Sequence, residues 1–145
     1  AYSGDEHLID DLKEQIREKG LEGKVELLGQ INDMDAFYDR LDIFVLPSIQ
    51  PEPFGLVLIE AMEHGLPVIA TAHGGPVEIV NDGKNGYLVD HRRADDMAAK
   101  ITELLRDPDK RKAFGKNGYQ KRQEVYSVPT MVRHIEAVFK KLVQE

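Results

Sequence analysis

Two kinds of hydrophobic pattern alternate along this chain. Short apolar runs are typical of buried strands, and they predict strands at residues 25–28, 43–46, 68–70 and 87–89. Between these runs, apolar residues recur every three or four positions, as they do in amphipathic helices. This second pattern predicts one helix that ends at Gly20 and others over residues 33–40, 55–64, 76–80, 94–106, 108 onward and 129–142.

Local residue types predict how some of these elements begin, end and pack. Asn32 is expected to cap the helix over 33–40. Gly65 is expected to end the helix over 55–64 in a left-handed conformation. The run over 43–46 is almost wholly apolar, which indicates a strand that is buried on both faces.

The alternation of strands and helices predicts an α/β fold. Strands that are joined by helices form a parallel sheet with right-handed crossovers, and the helices then cover both faces of the sheet. We therefore expect a Rossmann-like parallel sheet. Ligands of such sheets bind beyond the carboxyl ends of the strands. This rule directs attention to the loops that follow Leu28, Leu46 and Thr71.

Composition narrows the class of protein. A chain of 145 residues with 41% hydrophobic and 31% charged residues is typical of one soluble globular domain. The net charge of −7 argues against a nucleic-acid partner, and the lack of cysteine suits the cytoplasm. No apolar run reaches the roughly 18–20 residues of a membrane span. The first ten residues lack the basic and apolar segments of a signal peptide.

The loop after the second predicted strand, with the helix that follows it, carries the strongest candidate site. Glu52 precedes this helix and Glu60 lies inside it. The first amides of the helix, from Phe54 onward, lack intrahelical acceptors and carry partial positive charge, which suits a phosphate. Gly55 lets a ligand approach the backbone closely. Because a carboxylate accepts two hydroxyl donors together, the arrangement matches a sugar, a diphosphate and a ribose in a row.

Structural interpretations of the same residues remain open on spacing alone. Glu60 could be a solvated helix residue, and Glu52 a loop residue without function. The sequence His73-Gly74-Gly75-Pro76 opens a second helix beside the same crevice, since proline suits the first helical position. A purely structural turn is the alternative there. His64 and His73 lack the clustered partners of a metal site, so no metal is expected.

One continuous stretch resembles a known enzyme family. From Pro47 the chain reads PSIQPEPFGLVLIEAMEHGLPVIATAHGGPVEIV, and GKNGYLV follows. This stretch closely resembles the family-4 retaining glycosyltransferases of the GT-B fold, bacterial polysaccharide glycosyltransferases among them. The family signature is two glutamates with seven residues between them, around Phe-Gly-Leu, which matches Glu52 and Glu60 around Phe54-Gly55-Leu56. The resemblance extends from about Val25 through Asp90, and more loosely over the C-terminal helices.

The resemblance implies a role for each matching position. Glu60 would hold the ribose hydroxyls of the nucleotide. Glu52 would lie near the donor sugar and its reacting anomeric carbon, as the catalytic position. The diphosphate and the donor sugar would be bound by Phe54, Gly55, Leu56, Gly74 and Gly75. The nucleotide base would be bound by Gly29, Gln30 and Ile31.

The resemblance also implies that the chain is part of a longer enzyme. Residues 1–145 are expected to form a single donor-binding domain, with C-terminal helices over 108–145. This would be the C-terminal half of a GT-B enzyme, truncated at its N-terminus. The acceptor domain would be missing, as would the first part of the donor domain, which in this family carries an arginine and a lysine for the diphosphate. The chain alone is therefore expected to be inactive.

The expected function of the whole enzyme is hexosyl transfer. The donor would be a nucleotide sugar, and the acceptor a glycan or a lipid-linked molecule. No metal or other cofactor is expected. The enzyme is expected in the cytoplasm, with peripheral association at the inner face of the cell membrane left open. Two alternatives also stay open: a non-hydrolysing nucleotide-sugar epimerase domain, and a non-catalytic binding or regulatory domain.

Overall fold

The computed structural model describes residues 5–143, and contacts within the chain divide it into two compact units. The first unit reaches residue 32 and the second begins at residue 33. In the first unit, helix α1 spans Asp5–Glu18, and the chain turns at Gly20 as predicted. The expected single domain over 1–145 stays a prediction.

The strand predicted at residues 25–28 is not formed. This segment is irregular, and Val25, Leu27 and Leu28 each expose 43–46% of their surface. A strand depends on hydrogen bonds to a neighbouring strand. An apolar run in the sequence does not reveal whether such a partner is available. The prediction was wrong because it rested on the run alone.

The second unit is built on a three-stranded parallel sheet. Strand β1 spans Phe44–Leu46, β2 spans Val68–Thr71 and β3 spans Gly86–Val89, in the order β1-β2-β3. Val45 lies opposite Ile69, which in turn lies opposite Tyr87. All three carboxyl ends therefore meet at one edge of the sheet. The predicted parallel sheet is confirmed.

Helices follow each strand, as the hydrophobic pattern predicts. One further helix of this unit, the short α2, precedes β1. The helices of the second unit are α2 (Met34–Tyr38), α3 (Leu56–Glu63), α4 (Pro76–Ile79), α5 (Ala94–Arg106), α6 (Pro108–Val125) and α7 (Val128–Val143). The bounds differ from the predicted ones by only a few residues, since Gly, Pro and Asp mark most of the helix ends.

The core has two parts because successive side chains of a strand point to opposite faces of the sheet. Val68 and Ala70 of β2 pack in one cluster with Leu58 and Met62 of α3. Ile69 packs in the other cluster, whose further members are Tyr87, Val89, Leu104 and Phe114. Helices therefore cover both faces of the sheet, and the Rossmann-like α/β architecture is confirmed.

Three local predictions have different outcomes. Gly65 has a left-handed backbone, with φ at 68°, as predicted. The cap of α2 is Asp33 and not Asn32, since the Asp33 carboxylate accepts from the amide of Ala36 at 3.0 Å. The run over 43–46 is only half-buried, because β1 stands at the end of the strand order. The prediction of burial on both faces was wrong for that reason.

Helix α6 approaches the end of α3 very closely. A Cβ atom at Gly115 of α6 would overlap the carbonyl oxygen of Gly65. One turn later, a Cβ at Gly118 would lie 3.0 Å from Cγ of Met62. Both glycines are buried. The helix contact therefore requires the absence of side chains on this side of α6.

We expect Gly115→Ala to destabilise the second unit by about 1–3 kcal/mol, since an overpacked contact forces backbone shifts. In an unhindered helix, the same change stabilises by about 1 kcal/mol. The free energy of unfolding from urea titration measures the effect. Lys116→Ala, at an exposed neighbouring position, is the matched control and should be near neutral. A stabilised Gly115→Ala variant would contradict the close contact.

His64, at the C-terminal end of α3, joins this helix to α2. Its Nδ1 lies 2.7 Å from Oδ1 of Asp39, and its Nε2 lies 3.3 Å from Oδ1 of Asp35. The hydrogen bond to Asp39 is the main cause that raises the pKa of His64, and burial of the ring opposes it. The protonated imidazole therefore stabilises the contact between the two helices.

A group whose folded pKa is raised stabilises fully below its unfolded pKa, which is about 6.5 for histidine. That stabilisation is lost as pH rises through the folded pKa of His64. We expect the difference in unfolding free energy between the wild type and His64→Gln to shrink as pH rises above about 6.5. Urea titrations across this range measure it. A difference that does not change with pH would show that the two carboxylates do not hold the charge.

Candidate functional site

The carboxyl ends of the three strands carry loops that bind to one another. The Thr71 hydroxyl, at the end of β2, donates to the carbonyl of Ser48 at 2.8 Å. The amide of Ala72 donates to the carbonyl of Val89 at 2.7 Å. The loop after β2 is therefore bonded to the loop after β1 on one side and to the end of β3 on the other. The predicted location of the site is therefore an edge at which the loops are bonded to one another.

The backbone of Glu52 is held by the loop that follows β2. Its amide donates to the carbonyl of His73 at 3.0 Å, and its carbonyl accepts from the amide of Gly75 at 2.7 Å. Together these two bonds form an isolated parallel bridge between Glu52 and Gly74. The position of Glu52 is therefore fixed by main-chain pairing between two loops, while its side chain is partly exposed.

The paired glycines are required by this pairing. A Cβ at Gly74 would overlap the carbonyl oxygen of Glu52, and a Cβ at Gly75 would overlap the carbonyl oxygen of Phe54. The close approach that they permit is thus between two segments of the chain. The Gly75 amide already donates to the Glu52 carbonyl, so this amide is used within the chain. Contact of Gly74 or Gly75 with a donor sugar stays a prediction.

Helix α3 begins at Leu56, four residues after Glu52. Gly55 is the N-cap residue, with φ at 99°, a backbone conformation that glycine adopts without strain. Phe54 and Leu56 on either side of it are 42% and 63% exposed. The amides before Leu58 have no intrahelical acceptors, whereas the Leu58 amide already donates to the Gly55 carbonyl at 2.9 Å. This end of the helix dipole is positive. Leu56 at the helix start is therefore accessible, whereas Gly55 itself is buried. Binding of an anion there stays a prediction.

Glu60 lies four residues after Leu56, so both residues share one face of α3. This face is exposed at both positions, whereas Leu58, Ala61 and Met62 are fully buried. One turn of helix, about 5.4 Å, separates Glu60 from the helix start. The structure therefore puts Glu60 on an accessible surface near the predicted phosphate site. A binding role for Glu52 or Glu60 stays a prediction.

The segment predicted to bind the base, Gly29, Gln30 and Ile31, lies in the first unit. It is irregular, with φ of Gly29 at 64°. Gly29 and Gln30 are exposed and Ile31 is half-buried. Contact of this segment with a nucleotide base stays a prediction.

Sequence reasoning missed two features of the second unit. The first is Tyr38, which donates its hydroxyl to Oε2 of Glu60 at 2.9 Å. The loop after β3 was not considered, although the His91 ring stacks on the His73 ring at 4.7 Å. The loop after β3 could have been predicted as part of this edge, because parallel strands place the end of β3 beside the ends of β1 and β2. No local pattern pointed to Tyr38.

Charge in the loop after β3 is internally paired. Arg92 donates to both carboxylate oxygens of Asp90, at 3.0 and 2.7 Å. The side-chain hydrogen bond from Arg92 is the main cause that lowers the pKa of Asp90. Both residues are exposed, so the pair stabilises the protein little. The guanidinium of Arg92 is nevertheless occupied in the structure.

Residues 5–143 hold neither a metal-binding cluster nor a membrane-spanning helix. No group of three or more His, Cys, Asp or Glu side chains in this part of the chain is arranged to hold a metal ion. Asp35 and Asp39 flank His64 at hydrogen-bond distances, but these three residues are not arranged as a metal site. No helix over the same residues has the length and apolar character to cross a membrane.

Comparison with known proteins gives a consistent set of relatives. A family model described as glycosyl transferases group 1 matches residues 3–121. A sucrose synthase of Denitrovibrio acetiphilus is 36% identical over 144 residues, which is 87% of this chain and 18% of that protein. The alpha-1,3/1,6-mannosyltransferase ALG2 of Dictyostelium discoideum is 36% identical over 140 residues, which is 94% of this chain and 32% of that protein.

Solved structures agree with these relatives. The crystal structure of Anabaena Alr3699/HepE in complex with UDP superposes with a TM-score of 0.91 at 30% identity. The match covers 97% of this chain and 39% of that one. A second structure of the same protein, in complex with UDP-glucose, superposes with a TM-score of 0.88. The chain thus spans about a fifth to two fifths of the length of these relatives.

We expect Thr71→Val to destabilise the second unit by about 1–3 kcal/mol, because it leaves the Ser48 carbonyl without its donor at a buried position. Thr102→Val is the matched control, since the Thr102 hydroxyl also donates to a carbonyl, that of Ala98 at 2.8 Å, but at an exposed position of α5. Urea titration of both variants measures the difference. An equal loss of unfolding free energy in the two variants would show that the Thr71 hydrogen bond contributes no more to stability than an exposed one.

Proposed function

This chain belongs to the glycosyl transferases group 1 family, and we propose that it is the donor-binding part of a retaining glycosyltransferase. The observation that carries the proposal is the exposed start of α3, with Glu52 fixed just before it and Glu60 one turn along it. The proposed donor is a nucleotide sugar. The two HepE complexes, one with UDP and one with UDP-glucose, support this class of ligand.

Each part of the proposed donor has a chemical counterpart at this surface. The diphosphate would accept hydrogen bonds from the first amides of α3, at Phe54, Gly55 and Leu56. The ribose hydroxyls would donate to the carboxylate of Glu60, and the sugar hydroxyls to that of Glu52, in charge-assisted bonds. Gly74 and Gly75 would contribute by holding Glu52 in place. Binding of the base by residues 29–31, which belong to the first unit, is proposed from the family resemblance alone.

The proposed reaction transfers a hexosyl group with retained anomeric configuration. The bond from the anomeric carbon to the diphosphate opens while an acceptor hydroxyl attacks from the same face. The electron pair of that bond leaves with the diphosphate, which also takes the proton of the hydroxyl. Glu52 would lie beside the anomeric carbon and interact with charge that develops there. The proposal includes no metal: the helix start would supply part of the positive charge for the leaving group, and the arginine and lysine expected in the missing part of the domain would supply the rest.

The proposed acceptor is a glycan or a lipid-linked molecule that binds to a part of the enzyme outside this chain. We propose that the 145 residues bind the donor and do not turn it over. A structure of TarM with fondaparinux, alpha-GlcNAc-glycerol and UDP, 31% identical to this chain, supports the glycan as an acceptor class. The proposed location is the cytoplasm, with the whole enzyme at the inner face of the membrane when the acceptor carries a lipid.

We expect Glu60→Ala to weaken binding of a nucleoside diphosphate by about 1–3 kcal/mol, since charge-assisted hydrogen bonds to the ribose are lost. Isothermal calorimetry with UDP, GDP and ADP measures this, and the ligand that binds most tightly to the wild type is used. Glu124→Ala, at an exposed glutamate of α6, is the control and should bind like the wild type.

The same measurements can overturn the proposal at two levels. Unchanged affinity of a folded Glu60→Ala variant would remove Glu60 from the site. No binding of any of the three nucleotides to the wild type would contradict the donor-binding function as a whole. Measurable sugar transfer by the 145 residues alone, from UDP-glucose to a glycan, would contradict the proposed inactivity of this part.

A further inference from the structure

Tyr38 of α2 reaches the surface of α3 with its hydroxyl. The residue is only 1% exposed, and its hydroxyl oxygen lies 2.9 Å from Oε2 of Glu60 and 3.4 Å from the carbonyl oxygen of Val57. A phenol has a single proton to donate. The shorter distance and the negative charge of the carboxylate both favour donation to Glu60. An almost fully buried residue is thus bonded to the carboxylate of an exposed one.

The direction of this hydrogen bond is fixed by chemistry. An ionised carboxylate only accepts, so the tyrosine is the donor. Burial of Tyr38, followed by its hydrogen bond to Glu60 and the charge of Glu60, raises the pKa of the phenol. The hydroxyl therefore keeps its proton throughout the range in which the protein functions. Glu60 has this neutral donor at its side at any such pH.

The ring of Tyr38 is held by aromatic neighbours. Phe37 and Phe44 each lie 5.6 Å from it between ring centroids, at angles of 56° and 61°. The imidazole of His64 stacks on it at 5.3 Å and 29°. His64 is in turn bonded to Asp39 at 2.7 Å. Because these contacts restrict the ring, the hydroxyl is held at one position relative to α3.

We propose that Tyr38 is a positioning residue that orients the carboxylate of Glu60 toward the ribose of the bound nucleotide. The inference rests on the proposed function. One lone pair of Oε2 is taken by Tyr38, so Oε1 and the remaining lone pair of Oε2 are available. These are the acceptors that two neighbouring hydroxyls need. A long glutamate side chain that is already ordered loses less conformational freedom when the ligand binds.

A second tyrosine–glutamate pair shows what a purely structural contact looks like in this protein. The hydroxyl of Tyr87 lies 2.5 Å from Oε1 of Glu103. Glu103 also accepts from Lys100 at 3.2 Å and from Lys110 at 2.7 Å. Its carboxylate is thus surrounded by partners from the chain itself. Glu60, by contrast, is exposed. Among the described residues, Tyr38 is the one side chain that forms a hydrogen bond with its carboxylate.

The test compares two ligands on one variant. Tyr38→Phe removes the hydroxyl and keeps the ring. We expect the Kd of the nucleoside diphosphate, again the tightest of UDP, GDP and ADP, to rise about threefold to tenfold. The Kd of its 2′,3′-dideoxy analogue should stay unchanged, because that ligand has no ribose hydroxyls for Glu60 to accept from. Tyr87→Phe is the control and should change neither Kd.

A merely structural role of Tyr38 would affect both ligands alike, since a disturbed fold does not distinguish a ribose from a dideoxyribose. Equal loss for the two ligands, or no loss for either, would overturn the inference. In a Glu60→Ala background, Tyr38→Phe should cause no further loss of affinity, and a full additional loss would also overturn it. Failure of the proposed function is distinguishable, because the wild type would then bind none of the three nucleotides.

Discussion

The site depends on main-chain pairing between two loops that are far apart in the sequence. Glu52 donates to His73 and accepts from Gly75, and this pairing fixes the chain just before α3. It is possible only because neither Gly74 nor Gly75 has a side chain that would collide with it. Where α3 begins, and hence where its free amides point, follows from this contact. Local propensity alone would leave the loop after β1, with its three prolines, without a defined position.

Helix α3 links this site to the core. Its buried residues Leu58, Ala61 and Met62 pack against the sheet, while Glu60 on the opposite face is exposed. Tyr38 belongs to both parts, since its ring lies in the same core cluster and its hydroxyl contacts Glu60. Changes in the core can therefore alter binding. Affinity and stability have to be measured together before a variant is assigned to the site.

The sequence predicted correctly the features that depend on neighbouring residues in the chain. It was misleading for features that depend on contacts with residues far away in the sequence. The three strands of the sheet, α5 and the glutamates around Phe-Gly-Leu were predictable, because a pattern of nearby residues in the sequence indicates each of them. The strand over 25–28 was not, since strand formation requires a neighbour. The half-burial of β1 follows from strand order, which composition does not reveal. Tyr38 was missed because 22 positions separate it from Glu60, and only the fold brings them together.

The charge of the loops after β1 and β2 limits how strongly these loops can stabilise a diphosphate. The segments over 47–55 and 72–75 contain Glu52 and no Lys or Arg. Nearby, the guanidinium of Arg92 is already paired with Asp90 on both carboxylate oxygens. Positive charge for a diphosphate in these two loops therefore comes from helix amides, which carry only about half a unit charge. A leaving diphosphate needs more compensation than that. The surface that we propose binds a nucleotide would thus bind it modestly, and departure of the leaving group would depend on cations supplied from outside these loops.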